Sequence, residues 1–151
     1  MSDAEIIEKF ERENITLASL TKRSYAYFID EVLVSLLFIF IYLDYLPDDA
    51  SVEETILMIN SMFLYVVLLK IAYQSIFVTL YGATLGKIFL KIKVVSVADL
   101  ENPPFVYAFL RALVRVLSES LFYIGFIWAY FNSKKETWHD KIGKTLVVNA
   151  F

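Results

Sequence analysis

The chain has 151 residues, of which 58% are hydrophobic and 17% aromatic, where an ordinary soluble domain carries roughly 45–50% apolar residues. It has no cysteine, which excludes disulfides and thiolate metal sites, and its formal net charge of −3 gives no basic footprint for nucleic acid. With a mean hydropathy of +0.59 in a length that suits one domain, the apolar excess points to the bilayer.

The first 21 residues are polar and mixed in charge (Glu5, Glu8, Lys9, Glu11, Arg12, Glu13), without the apolar core of a signal peptide. Ser2 followed by Glu5 predicts a capping box opening a short amphipathic helix whose residues Ile6, Ile7 and Phe10 share a face. After Lys22 and Arg23 an apolar run extends to about Leu43, and a second runs from about Ile56 to Tyr81. Each is long enough to cross a hydrocarbon core of roughly 30 Å as a helix, and lipid leaves no other backbone arrangement satisfied for a single segment. The loop between them, from Asp44 to Thr55, carries five acidic residues and no basic one. Lys22, Arg23, Lys87, Lys91 and Lys93 flank the pair, so both ends of this helical hairpin are expected on the cytosolic side.

The stretch Gly82-Ala83-Thr84-Leu85-Gly86-Lys87 is one residue short of a phosphate-binding loop, and Ile88 replaces its hydroxyl residue. It is therefore read as a site of close packing. Lys91 to Val97 and Thr145 to Asn149, rich in β-branched residues, predict two short strands that could pair. Between them, Asn102-Pro103-Pro104 restarts a third apolar region, Phe105 to Phe131. As one helix this region would be about 40 Å long and would deliver Lys134, Lys135, Lys141 and Lys144 to the outer side. A break near Ser118-Glu119-Ser120, giving a short helical hairpin, is preferred over one long helix. The expected fold is an all-α membrane protein with two transmembrane helices, this third region, and a small cytosolic β element. Residues 1–21 form a cytosolic N-terminal segment and residues 22–151 the membrane domain.

Inside the expected spans, Asp30 and Lys70 lie about 12 and 16 Å from the cytosolic ends, with Gln74 one turn from Lys70. A charge in mid-bilayer costs about 2.5–3.5 kcal/mol on the lenient scale, which favours an Asp30–Lys70 pair bridged by Gln74. Such a pair is either a clamp between helices or a proton- or cation-binding site, and the clamp is preferred. Glu31 is about 100° around the helix from Asp30 and is not expected to share its site. Arg111, Arg115 and Glu119 recur every four residues on one face. The arginines, with Arg23, either snorkel to lipid phosphates or reach Asp30 or Asp140 and lock the cytosolic face. His139, between Trp138 and Asp140, lacks companion metal ligands. No nucleophile–base set, carboxylate dyad or cofactor motif argues for an enzyme.

Arg23-Ser24-Tyr25-Ala26-Tyr27-Phe28-Ile29-Asp30, then Thr84-Leu85-Gly86-Lys87 with Ile92-Lys93-Val94-Val95, then Thr137-Trp138-His139-Asp140 with Thr145-Leu146-Val147-Val148, form an ordered set. It resembles the RDD family of small membrane proteins, named for one arginine and two aspartates, from about Leu17 to Val148. The resemblance implies that the naming triad is Arg23, Asp30 and Asp140, and that Arg111 and Arg115 stand where the family places arginines. Lys144 departs from the glycine of many members, and Lys70 lies outside the family pattern. The family is largely uncharacterised, with some members linked to exchange of monovalent cations for protons, an activity expected here of a homo-oligomer. The competing expectation, which is preferred, is a non-catalytic accessory subunit packing with other membrane proteins in a bacterial inner membrane. A lipid-binding adaptor is a third, resting on the cytosolic lysines and arginines.

Overall fold

A computed structural model describes residues 2–121, 123–132 and 134–150. Two helices in it are long and apolar enough to cross a membrane. The first, α2 (Leu20–Tyr42), starts where the Ser19 hydroxyl accepts a hydrogen bond from the Lys22 amide at 3.2 Å. A 3-10 turn, Leu43–Tyr45, continues it to 26 residues with a mean hydropathy of 2.0. Leu46, extended as the residue before Pro47, ends it. The second span, α4 (Phe63–Tyr81), has 19 residues and a mean hydropathy of 1.8. Gly82 stops it in the left-handed conformation, φ 69°.

The second apolar run is shorter as a span than its composition suggests. It divides at Met62 into α3 (Val52–Ser61) and α4. The Ser61 hydroxyl bonds back to the Met58 carbonyl at 2.7 Å, competing with the backbone ladder where the helix gives way. A capping box of Ser51 and Glu54 starts α3, which puts part of the acidic loop into a helical turn.

The third apolar region is not one straight helix. The α6 helix (Phe105–Ser120) ends just after the expected break, and the Tyr123 amide closes the turn on the Ser118 carbonyl at 2.8 Å. Tyr123 is left-handed, φ 62°. The chain then runs at 109° to α6 through α7 (Ile124–Ile127) and a 3-10 turn, Trp128–Phe131.

The remaining elements gather at the end of the bundle where α2 begins. These are α1 (Asp3–Arg12), α5 (Leu85–Phe89), β1 (Ile92–Ser96), α8 (Trp138–Ile142) and β2 (Thr145–Asn149). The expected strands do pair: β1 and β2 are antiparallel, with Val94 opposite Val147 and Ser96 opposite Thr145. Leu17 adds a bridge to Val148 at the sheet edge. Both sheet faces are covered. Val94, Val147 and Ile92 pack with Ala18, Ala26, Val78 and Ala108 of the helical bundle. Val95, Leu146 and Val148 pack with Ile6 and Phe10 of α1. The Ser2–Glu5 capping box forms as the sequence suggests, but Ile7 points away from the sheet and stays exposed. Only Ile6 and Phe10 lie one above the other at the four-residue spacing that meets a flat partner. Burying a side chain of this size contributes about 1.5–3 kcal/mol, enough to dock a ten-residue helix that is too short to be stable alone.

Gly82→Ala is expected to lower the melting temperature of the detergent-solubilised protein. The left-handed backbone costs an L-residue about 1–2 kcal/mol, and the new methyl would displace the Asn102 amide that donates to the Leu80 carbonyl at 3.3 Å. An unchanged melting curve would contradict the turn that joins α4 to α5.

Candidate functional site

Asp140 is the third residue of α8, and its carboxylate first serves its own helix. The Thr137 amide donates to Asp140 Oδ2 at 3.1 Å, and the Asp140 amide donates to Thr137 Oγ1 at 3.3 Å. The same carboxylate accepts from two guanidinium groups. Arg23 Nη2 of α2 reaches Oδ2 at 2.5 Å, and Arg111 Nη1 of α6 donates to Oδ1. Arg111 Nη1 also reaches Thr145 Oγ1 of β2 at 3.0 Å, and Arg23 Nη1 donates to the Lys135 carbonyl. One buried carboxylate thus ties together α2, α6 and α8. Burial alone would raise the Asp140 pKa, but the charges of Arg111 and Arg23 outweigh it and hold the carboxyl well below its ordinary value. Burial and the nearby Arg111 push His139 well below its ordinary value, so its imidazole is neutral beside this cluster.

Asp30 is buried in a different way. Its carboxylate accepts from Tyr73 Oη at 2.8 Å, Thr84 Oγ1 at 2.6 Å and the Gly86 amide at 2.9 Å, and among the described residues it forms no ion pair. Gly86 is required by the approach. A Cβ there would collide with the Ala26 carbonyl oxygen and sit 2.9 Å from Asp30 Oδ1. The expectation of close packing at this glycine is met, with the α5 backbone resting on α2. Lys87 is buried beside this collar, its Nζ 3.5 Å from Thr84 Oγ1. Burial lowers the Lys87 pKa to about 7, opposed by Asp30 and reinforced by Arg115, Arg111 and Arg23.

The expected Asp30–Lys70 pair does not form. Lys70 Nζ lies 2.8 Å from Glu31 and 2.8 Å from Glu119, and Gln74 is buried nearby without bridging to Asp30. The hydroxyl and amide donors already occupy Asp30, so the ammonium takes the two carboxylates that face it. Arg115 joins this group at 3.6 Å from Glu119 and 3.8 Å from Glu31. Its guanidinium also lies over the Tyr27 ring, 4.8 Å from the centroid. Arg111 and Arg115 are both buried, so neither snorkels outward. Arg23 and Arg111 lock onto Asp140, whereas Arg115 reaches neither aspartate within ion-pair distance among the described residues.

Tyr73, Thr84, Gly86, Lys87 and the Glu31–Glu119 pair were not singled out as site residues from the sequence. The signals available were the quoted run of residues 84–87 and the shared face of Arg111, Arg115 and Glu119. A cavity of about 230 Å³ opens between α2, α6, α7 and α8, with Arg23, Lys87, Arg111 and Arg115 in its wall. Among the described residues no group of three His, Asp or Glu side chains is arranged to hold a metal ion.

The RDD family model matches residues 17–144, most of the chain. The chain belongs to the RDD family. Together with its two apolar spans, this makes it a small integral membrane protein. The RDD chain is 36% identical over 80 residues to an uncharacterized protein of Rickettsia prowazekii (strain Madrid E). That match covers 50% of the RDD chain but only 43% of the relative's own length. No solved structure matches it. Of the three residues that the resemblance implied as the naming triad, Arg23 and Asp140 are in direct contact, and Asp30 has its own set of donors.

Asp140→Asn leaves the buried Arg111 and the partly buried Arg23 with no counter-charge and is expected to cost about 3–5 kcal/mol, read as a lower melting temperature. Because the folded carboxyl titrates below its unfolded value, the wild-type contribution is fully present above about pH 3.9. It is lost only as pH falls further, through the folded pKa. A variant as stable as wild type at pH 7 would remove the shared carboxylate from its structural role. For Lys87, carbon-13 NMR of lysine-labelled protein should show a side-chain titration near pH 7 that is missing from Lys87→Gln. Asp30→Asn should move that midpoint lower, since it removes the negative charge that favours the ammonium; an upward movement would contradict the placement of Lys87.

Proposed function

We propose that this RDD chain is a non-catalytic accessory subunit of a larger inner-membrane assembly, with both termini in the cytosol. The observation that carries this reading is the closure of Asp30. It is 1% exposed, and its oxygens are held by a tyrosine, a threonine and a backbone amide. A transport carboxylate has to trade ligands with ions and water during a cycle, whereas a clamp needs lasting partners. Lys70, with Glu31 and Glu119, is likewise engaged inside the bundle. The outward faces of the spans remain apolar and uncovered, including Phe28, Leu36 and Phe40 on α2 and Phe63, Leu64 and Leu68 on α4. Lipid or neighbouring chains are their natural cover. The orientation is supported by the acidic loop between the spans and the basic residues that flank them.

A second reading, a homo-oligomeric monovalent cation/proton antiporter, is favoured by Lys87. A buried amine with a pKa of about 7 next to a carboxylate could release a proton near neutral pH.

Gentle detergent extraction of the tagged native protein, followed by sizing and mass spectrometry, separates the two. The accessory reading expects stoichiometric recovery with other membrane proteins. It also expects Asp30→Asn to weaken that association and lower stability by about 1–3 kcal/mol through lost hydrogen bonds. A clean homo-oligomer that drives cation-dependent proton movement in vesicles, and loses it in a fully folded Asp30→Asn variant, would overturn it in favour of exchange.

A further inference from the structure

The accessory reading leaves the cavity between α2, α6, α7 and α8 without a role, and the exchanger reading uses only Lys87 of its wall. Its volume is about 230 Å³, and its described wall contains Arg23, Lys87, Arg111 and Arg115 but no aspartate or glutamate. The carboxylates that neutralise these cations stand behind the wall and are shared. Asp140 serves both Arg23 and Arg111. Arg115 shares Glu31 and Glu119 with Lys70, which takes the shorter contacts, 2.8 Å to each against 3.8 and 3.6 Å. Arg115 Nη1 is buried with no hydrogen-bond partner among the described residues, although the side chain is only 7% exposed. His139 Nδ1, in the same wall, is equally unpartnered. A buried donor left unsatisfied costs about 1–3 kcal/mol, and more when it is charged, so Arg115, whose side chain lines this cavity, calls for an acceptor.

We propose that this cavity binds a phosphate-bearing anion, with Arg115 as its principal anchor. A guanidinium presents a planar fork of donors that matches phosphate oxygens, and the Tyr27 ring beneath Arg115 holds that fork in one orientation. Lys87 adds a compact charge, and Thr137 and Tyr27 place further hydroxyls in the wall. The space exceeds what a lone halide or carboxylate fills. Leu20, Phe126 and Ile127 add apolar surface to the same lining, which suits the carbon skeleton of a phosphoester. Both the headgroup of an anionic phospholipid and a free phosphate compound offer this chemistry. The inference is independent of whether the chain is an accessory subunit or an exchanger.

The test uses the full chain, purified and delipidated in a neutral detergent, with thermal unfolding followed by tryptophan fluorescence. One arm titrates inorganic phosphate against chloride of matched ionic strength. The other titrates phosphatidylglycerol against phosphatidylcholine in mixed micelles. Saturable stabilisation by phosphate identifies a free phosphate compound as the ligand class, and stabilisation by phosphatidylglycerol alone identifies a lipid headgroup. In either arm Arg115→Gln should weaken the apparent Kd about tenfold or more, the loss of a charged hydrogen bond. Because Arg115 also faces Glu31 and Glu119, that variant could fail to fold, so Ser24→Phe provides the second readout. Ser24 is an exposed wall residue whose hydroxyl bonds its own helix, to the Leu20 carbonyl at 2.9 Å, and the ring would occupy cavity space without removing a member of any ion pair. Stabilisation that neither probe produces, or that persists undiminished in Ser24→Phe, overturns the proposal.

Discussion

The carboxylate of Asp140 holds the structure at its most expensive point. Taking a charge out of water costs several kcal/mol after relaxation, and only well-aligned counter-charges and hydrogen bonds offset it. Asp140 meets that demand from three directions: Arg23 on α2, Arg111 on α6, and the Thr137 amide at the start of its own helix. None of these elements is adjacent to the others in the chain. The first span is therefore fixed to the last helix by charge, and through Arg111 and Thr145 the sheet is fixed to the bundle as well. The arrangement leaves two guanidinium groups on one carboxylate, and the surplus positive charge faces the cavity next to them.

Asp30 shows the other way to bury a carboxylate. Its donors are neutral dipoles, and one of them is a backbone amide that approaches only because residue 86 has no side chain. Neutral donors satisfy lone pairs without demanding a cation, which frees Lys70 to sit between Glu31 and Glu119. Within one short bundle, adjacent residues of α2 thus belong to different clusters: Asp30 to the collar of α4 and α5, Glu31 to the ion-pair group of α4 and α6. The helical rotation of about 100° between neighbours enforces that separation.

The small sheet transmits these constraints to the N-terminal helix. Because both of its faces are covered, its residues are nearly all apolar or buried, and α1 can dock only where Val95, Leu146 and Val148 present a flat surface. The Ala18 amide, bonded to the Val147 carbonyl at 3.0 Å, leads the chain from this sheet directly into α2. The sheet, the start of the first span and Arg23 are consequently joined by a short, hydrogen-bonded stretch of chain.

By itself the sequence determined the membrane character, both spans, the pairing strands, the N-terminal cap and the family. These depend on long apolar runs, β-branched clusters and local hydrogen bonds, which are properties of neighbouring residues. It placed the break in the third region to within a few residues, because polar residues interrupt the apolar pattern there. It did not show that the second run breaks at Met62, where a serine hydroxyl shares the Met58 carbonyl with the Met62 amide. It also named most of the buried charges and offered Asp140 as a partner of the arginines, but it mispaired Lys70. By depth alone Lys70 matches Asp30, because depth along a helix can be counted from the sequence, whereas rotation toward a distant neighbour cannot. Only the tertiary structure decided which carboxylate each cation meets, that Gly86 and Thr84 enclose Asp30, and that Arg115 faces a cavity. Those outcomes depend on how helices separated by tens of residues turn against one another, and no local pattern encodes that angle.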